Sequence, residues 1–165
     1  MKDKNYILSQ PTILKKLNRL ALEIIEHNID EKELIFVGIE PNGVILAKRL
    51  KANVEKAADV KVELLTLKLN KSNPDKVELN KAIEFNDKVI VVIDDVTNSG
   101  KTLLYSMKPF LEHQPKKIQV LVLVERTHTL FPILADYKGF SIATTLQEHI
   151  VVTVEGDEIK GAYLR

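Results

Sequence analysis

The chain has 165 residues, of which 45% are hydrophobic and 28% charged, and its formal net charge is +1. This length and composition predict one globular domain over residues 1–165 and exclude a disordered chain. The absence of cysteine excludes disulfides and thiolate metal sites, and the sequence shows no signal-like or membrane-length apolar run, so we expect a cytoplasmic protein without membrane contact.

The first 69 residues alternate between helical and strand-like patterns. Apolar residues keep helical spacing over residues 11–27, and Pro11 and Asn28 suit the two ends of a helix. The continuous apolar run 34–39 is typical of a strand buried on both faces. A second helix is predicted over residues 43–53 and a second strand over residues 60–69.

The second half begins with a polar stretch, residues 70–81, which contains Pro74 and is predicted to be a mobile loop. Residues 89–93, Val-Ile-Val-Val-Ile, form the clearest buried strand. Apolar spacing predicts a helix over residues 103–111, which Pro109 should kink or end early. Further strands are predicted over residues 118–124 and 150–154.

This alternation predicts an α/β fold with a mostly parallel, twisted sheet flanked by helices. In such open sheets, ligands bind outside the carboxyl ends of the strands. The segments that follow residues 39, 69, 93 and 124 are therefore the places where a functional site is expected.

The segment that follows the strand 89–93 reads Asp-Asp-Val-Thr-Asn-Ser-Gly-Lys-Thr, residues 94–102. Two adjacent carboxylates at a strand end are costly unless they meet cations or hydroxyl donors. Gly100 permits a tight turn, and a helix starting near Lys101 would direct free N–H groups at the bend. The pattern predicts an anion-binding bend beside an acidic edge, which suits a ribose 5-phosphate.

Three other interpretations apply to the same residues. Gly100-Lys101-Thr102 is similar to the end of a Walker A loop, but that loop needs a glycine where Asp95 stands. The strand with its two acids is also similar to a Walker B or response-regulator strand, yet the partner motifs of both are missing. The structural alternative is a solvated strand-to-helix turn with an N-cap.

Residues 89–102 resemble the phosphoribosyl-diphosphate (PRPP) motif of type I phosphoribosyltransferases. The resemblance implies the fold of that family, with a small hood formed by the N- and C-terminal segments. It also implies that Asp94 and Asp95 are the catalytic acids, which hold the ribose hydroxyls directly or through magnesium carried by PRPP. The residues implied to bind the 5-phosphate are Val96, Thr97, Asn98, Ser99, Gly100, Lys101 and Thr102.

Residues 38–50 resemble the pyrophosphate-binding turn of the same enzymes. They are particularly similar to the pyrimidine-operon attenuator family, whose members also have uracil phosphoribosyltransferase activity. The turn implied here consists of Glu40, Pro41, Asn42 and Gly43. The attenuator family carries basic residues where this chain has Glu40 and Asn42, which weakens the case for pyrophosphate binding through side chains.

Residues 121–152 extend the resemblance to the base-binding region. The base site implied here consists of Glu125, Arg126, Ile150 and Val151. Hypoxanthine-guanine enzymes have a lysine where this chain has Glu125, and an ionised glutamate only accepts hydrogen bonds, which argues against a 6-oxopurine. In the loop, Lys68 or Lys71 is expected to cover the pyrophosphate, with solvated surface lysines as the alternative.

The resemblance therefore implies transfer of phosphoribosyl from PRPP to a nucleobase, with Mg2+ as cofactor and pyrophosphate as product. Uracil is the first candidate base and a purine the second, and a homo-oligomer, a dimer, is expected. One alternative is an RNA-binding attenuation regulator, although Thr129 and Leu134 stand where the attenuator family has arginines and the net charge is only +1. The other is a PRPP- or nucleotide-binding module with little turnover.

Overall fold

The computed structural model describes residues 5–165. Its elements, in chain order, are β1 (Asn5–Ser9), α1 (Gln10–His27), β2 (Glu33–Ile39), α2 (Asn42–Ala57), β3 (Lys61–Leu69), β4 (Val77–Leu79), β5 (Val89–Thr97), α3 (Lys101–Ser106), α4 (Lys108–Leu111), β6 (Lys117–Arg126), β7 (Tyr137–Ile142), β8 (Ile150–Glu155) and β9 (Glu158–Leu164).

Six strands form the central sheet in the order β4-β3-β2-β5-β6-β7. All neighbours in it are parallel except β4, which pairs antiparallel with β3. The inner strands β2, β5 and β6 are buried almost throughout, because α1 and α2 supply one apolar core and α3 and α4 supply the other. Continuous apolar runs in these strands are what such two-sided burial requires. The predicted α/β fold with a mostly parallel sheet is confirmed.

The terminal segments form a second, antiparallel sheet in the order β1-β9-β8. Its buried residues Leu8, Ile159 and Ala162 join the core that α1 and α2 share with the central sheet. This small sheet is the expected hood, made from both ends of the chain. Across residues 5–165, no helix combines the length and apolar character needed to cross a membrane.

Two predictions of local structure near the site, one of a loop and one of a strand, were wrong in their extent. The segment 70–81, predicted as a loop throughout, contains the short edge strand β4. The strand predicted to end at residue 93 continues to Thr97, because β6 is long enough to pair with it. Asp94 lies opposite Val122 and Thr97 lies opposite Glu125, so both acids belong to the strand and not to a loop.

The helix predicted over residues 103–111 is divided in two, as Pro109 indicated. α3 ends at Ser106, and Pro109 lies in the first turn of α4, where its missing N–H group leaves no helical hydrogen bond unmade. The edge strand β7 was not predicted, because its exposed and buried positions alternate over only six residues. The second helix continues to Ala57, beyond the predicted end at residue 53.

Candidate functional site

A cavity of about 350 Å³ lies at the carboxyl end of β5, at the edge of the sheet where ligands were expected. Its walls are Lys71, Ile150 and every residue from 94 to 103. The two acids and the whole of the predicted phosphate-binding bend therefore line one space, together with one residue of the hood strand β8.

The bend itself spans the three residues between β5 and α3. Gly100 has a φ of 85°, and a Cβ added there would lie 2.8 Å from the side chain of Ile133, so glycine is required for both backbone and space. The N–H groups of Leu130 and Phe131 fix the bend from behind, donating to the carbonyl of Ser99 at 2.9 and 3.0 Å.

The amides of the bend are partly available to a ligand. The Lys101 N–H donates to the Ser99 hydroxyl at 3.2 Å, so the protein itself uses that group. Within residues 5–165, the N–H groups of Ser99 and Gly100 donate to no protein acceptor. Successive free amides of this kind form an anion-binding concavity, and a phosphate matches it.

Asp94 is the most deeply buried ionisable group of the cavity, with 1% of its side chain exposed. The Lys71 ammonium lies 3.3 Å from both carboxyl oxygens, and the Asp95 N–H donates to Oδ1 at 2.9 Å. Burial, followed by the negative charge of Asp95, raises the pKa of Asp94 to about 8, although Lys71 acts in the opposite direction. At neutral pH, Asp94 therefore holds a proton that an exposed aspartate would release.

Asp95 is held by two short hydrogen bonds. The Asn42 amide donates to Oδ2 at 2.8 Å, and the Val96 N–H donates to Oδ1 at 2.9 Å. The same Asn42 nitrogen lies 3.5 Å from the carbonyl oxygen of Val152 in the hood. Asn42 thus links the start of α2, the end of β5 and the hood, and it fixes the orientation of the carboxylate.

Two glycines allow α2 to begin this close to Asp95. A Cβ on Gly43 would lie 2.4 Å from the Ile93 carbonyl oxygen, and a Cβ on Gly38 would lie 2.6 Å from the Cα atom of Val44. Both contacts involve backbone that has little freedom to shift, so only glycine fits. The close approach brings Asn42, at the first position of the helix, within reach of β5.

The remaining residues of the predicted pyrophosphate turn contribute little to this cavity. Glu40 and Pro41, joined by a cis peptide bond, are exposed. Glu40 lines a separate recess together with Lys68 and Glu78. The turn therefore presents an anionic side chain and an amide where pyrophosphate is expected, and it offers no cation.

The structure does not gather the four predicted base-site residues in one space. Ile150 lines the cavity with the two acids, whereas Arg126 lines a neighbouring cavity of about 390 Å³ that shares Asn98 and Ser99 with it. Glu125 lines neither cavity, because its carboxylate accepts hydrogen bonds from Lys138 and Ser141 on β7, at 2.9 and 2.8 Å.

Val151 is half-buried in β8 and lines neither of the two cavities.

Two contacts of the site were missed by sequence reasoning. Lys71 was expected either to cover the pyrophosphate or to be a solvated surface lysine, and its contact with Asp94 was not expected. The hydrogen bond from Asn42 to Asp95 joins residues 53 positions apart, and no local pattern signals it.

The side chains near the cavity determine how a metal ion could be bound there. Among residues 5–165, no three His, Asp or Glu side chains are grouped so that they could hold an ion. Mg2+ in nucleotide-type sites is bound through one or two carboxylates plus substrate phosphates. Asp94 and Asp95 suit that arrangement, in which the ion arrives with the substrate, and they do not form a closed protein cage.

Comparison with known proteins identifies the protein family of this chain. The phosphoribosyl transferase domain family matches residues 4–157. The bifunctional protein PyrR of Macrococcus caseolyticus is 32% identical to this chain, over 99% of both proteins. The bifunctional protein PyrR of Clostridium novyi is 35% identical, over 93% of this chain and 92% of that protein.

Solved structures support the fold. The hypoxanthine phosphoribosyltransferase of Trypanosoma cruzi superposes with a TM-score of 0.81 at 12% identity, over 98% of each chain. A hypoxanthine-guanine phosphoribosyltransferase from Bacillus anthracis gives 0.76 at 21% identity, over 96% of each chain. At these identities the comparison establishes the shared fold.

Proposed function

The chain belongs to the phosphoribosyl transferase domain family and, within it, to the group of the bifunctional PyrR proteins, and on that premise we propose that it transfers phosphoribosyl from PRPP to a nucleobase. The observation that carries the proposal is the shared cavity. One space is lined both by the free amides of the bend and by two buried carboxyls, which match the phosphate and the vicinal hydroxyls of one ribose 5-phosphate.

The reaction exchanges one bond at the anomeric carbon. The bond from C1 to the diphosphate oxygen breaks, a bond from C1 to a nitrogen of the base forms, and the base loses the proton of that nitrogen. Departure of the diphosphate leaves positive charge on C1, as in glycoside hydrolysis. The protein supplies no nucleophile, so the acceleration of the reaction comes from positioning and electrostatics.

We assign these tasks to residues already described. The amides of Ser99 and Gly100 anchor the 5-phosphate. Asp94 and Asp95 hold the ribose hydroxyls, and Asn42 fixes Asp95 for that purpose. Ile150 provides an apolar wall for the base. Asp94 and Asp95 would hold magnesium that accompanies PRPP, and the ion would supply positive charge to the diphosphate.

Uracil is our first candidate base and a purine the second. The proposal of uracil rests on the resemblance to the attenuator family and on the PyrR relatives. The carboxylate of Glu125 is engaged by β7 and presents no free donor to a purine oxygen. Arg126, in the neighbouring cavity that shares Asn98, is a donor suited to a base carbonyl.

The test is a panel of bases with PRPP and Mg2+, with diphosphate release as the readout. We expect release with uracil and a loss of about 10- to 100-fold in kcat/KM for Asp95→Asn, the effect of one charge-assisted hydrogen bond. Asp59→Asn, which changes an exposed carboxylate in the same way, is the matched control. Release with no base in the panel, or undiminished activity of Asp95→Asn, contradicts the proposal.

RNA binding is the second candidate function, favoured by the relatives that are named bifunctional. The test is a gel shift with pyrimidine-leader RNA at low and moderate salt, because phosphate contacts weaken steeply as salt rises. A salt-sensitive shift supports a regulatory role, and the absence of a shift at low salt excludes it. PRPP binding without diphosphate release would instead identify a binding module with little turnover.

We also propose that the chain is a homodimer, as the resemblance implies. Sedimentation equilibrium at micromolar concentration decides between monomer and dimer.

A further inference from the structure

The cavity that contains Arg126 offers more space than a single pyrimidine ring needs. It measures about 390 Å³ and shares Asn98 and Ser99 with the cavity of the two acids, so a ligand can extend from one space into the other. Cavities of this size hold drug-sized ligands. A uracil ring beside Arg126 therefore leaves part of the space unfilled.

The opening of this cavity is apolar. It is lined by Leu130, from the segment after β6, and by Leu146, from the segment between β7 and β8. Leu130 is 85% exposed and Leu146 is 92% exposed, the two highest values among the large hydrophobic residues of the described range 5–165. Apolar side chains left exposed beside a cavity are typical of a ligand-binding groove.

The two threonines that line the same cavity offer little to a polar ligand. The N–H group and the hydroxyl group of Thr145 donate to the Glu148 carboxylate at 2.8 and 3.0 Å, and its carbonyl oxygen accepts a hydrogen bond from Arg126. The Thr144 hydroxyl oxygen is inaccessible to solvent. A guanidinium group has five N–H donors, so Arg126 keeps donors for a ligand while it holds Thr145.

The shape of uracil relates these features to one position of its ring. N1 forms the bond to the sugar, the C4 carbonyl lies across the ring from N1, and C5 is next to C4. With Arg126 as the donor to the C4 oxygen, C5 faces the part of the cavity that Leu130 and Leu146 line. A substituent at C5 then extends away from the reacting carbon of the ribose.

We propose that the protein accepts uracils that carry an alkyl chain at C5, with the chain bound against Leu130 and Leu146. This inference rests on the proposed function and defines its acceptor more closely. The chain buries apolar surface that both leucines leave in water, whereas a chain that ends in a hydroxyl group loses hydrogen bonds to water there. The bonds that break and form at C1 of the ribose are those of the reaction with uracil itself.

The test compares two acceptors of equal length, 5-propyluracil and 5-(2-hydroxyethyl)uracil, which differ in a terminal methyl or hydroxyl group. Each is supplied with PRPP and Mg2+, and diphosphate release gives its kcat/KM. A closed hydrophobic pocket separates a methyl group from a hydroxyl group by about 100-fold, and at this open end of the cavity we expect about tenfold in favour of 5-propyluracil. The kcat/KM for 5-propyluracil should also match or exceed that for uracil.

Two leucine variants locate the alkyl chain. Leu130→Asn combined with Leu146→Asn makes both exposed side chains polar and should bring the ratio of the two kcat/KM values close to that of equal use. Leu22→Asn makes the same change at an exposed position of α1 that lines neither cavity, and it should leave the ratio unchanged. Because the ratio compares two substrates on one protein, a general loss of activity cancels. If the double variant does not fold, the two single variants replace it.

The outcomes separate this inference from the proposed function. A preference for 5-propyluracil that is lost when both leucines are replaced supports the inference. The inference is overturned, with the proposed function intact, if the two acceptors are used equally by the unaltered protein or if the preference survives in the double variant. The same holds if 5-propyluracil is used more than tenfold less well than uracil, or if only purines react. If no base releases diphosphate, the proposed function itself fails.

Discussion

Asp94→Asn should change how the stability of the protein depends on pH. The substitution keeps the size and shape of the side chain and removes its ionisable group. Burial and the charge of Asp95 raise the native pKa of Asp94 from 3.8 to about 8. Between these two values the native protein holds a proton that the unfolded chain has released.

The sign and the size of the effect follow from proton linkage. Because the native state binds more protons in this range, the free energy of unfolding falls as pH rises, by up to about 1.4 kcal/mol per pH unit for one group. The stabilisation is complete below the unfolded pKa of 3.8 and is lost as pH rises through about 8. Between about pH 5 and pH 7, the free energy of unfolding of the unaltered protein should fall by about 3 kcal/mol relative to that of Asp94→Asn.

Urea unfolding at several pH values measures this difference directly. The other titrating groups are common to both proteins, so subtracting the two free energies isolates Asp94. The free energy of unfolding of Asp59→Asn, a substitution at an exposed position, should depend on pH in the same way as that of the unaltered protein. The assignment of a raised pKa to Asp94 would be refuted if the free energy of unfolding of Asp94→Asn also followed that of the unaltered protein. It would equally be refuted if the unaltered protein gained stability relative to Asp94→Asn as pH rises.

Three further predictions concern the residues around Asp94 and Asp95. Lys71→Met should raise the pKa of Asp94 further, because the lysine charge lowers that pKa in the unaltered protein. In the same urea series, the loss of stability should then extend to higher pH. An unchanged dependence of the free energy of unfolding on pH contradicts this. Gly43→Ala should cost about 1–3 kcal/mol in urea unfolding, since its Cβ would meet the Ile93 carbonyl oxygen at 2.4 Å; a neutral effect would mean that α2 can shift. Asn42→Ala should lower kcat about tenfold through misorientation of Asp95, with circular dichroism unchanged, and full activity would show that Asp95 needs no support.

The sequence predicted the parts of the fold that rest on local pattern. Long apolar runs identified β2, β5 and β6, because strands buried on both faces need side chains that are apolar on both faces. The strands β4 and β7 were missed, since each is an edge strand with polar residues on one side. The end of β5 was predicted too early in the chain. The charged residue Asp94 was taken as the start of a loop, whereas pairing with β6 extends the strand beyond it.

The candidate site was predictable where it is contiguous and unpredictable where it is not. Residues 94–102 form one local motif, and the structure places all of them around one cavity. The partners of the two acids come from distant segments, Lys71 from the irregular stretch after β3 and Asn42 from the start of α2. Glu125 was assigned to the base from a linear resemblance, while β7, an element that was not predicted, supplies the groups that engage its carboxylate.

A crystal structure with ribose 5-phosphate tests the central claim most directly. We expect the phosphate within hydrogen-bonding distance of the Ser99 and Gly100 amides, with the vicinal hydroxyls on Asp94 and Asp95. A phosphate bound elsewhere, or a sugar whose hydroxyls face away from both acids, would contradict it.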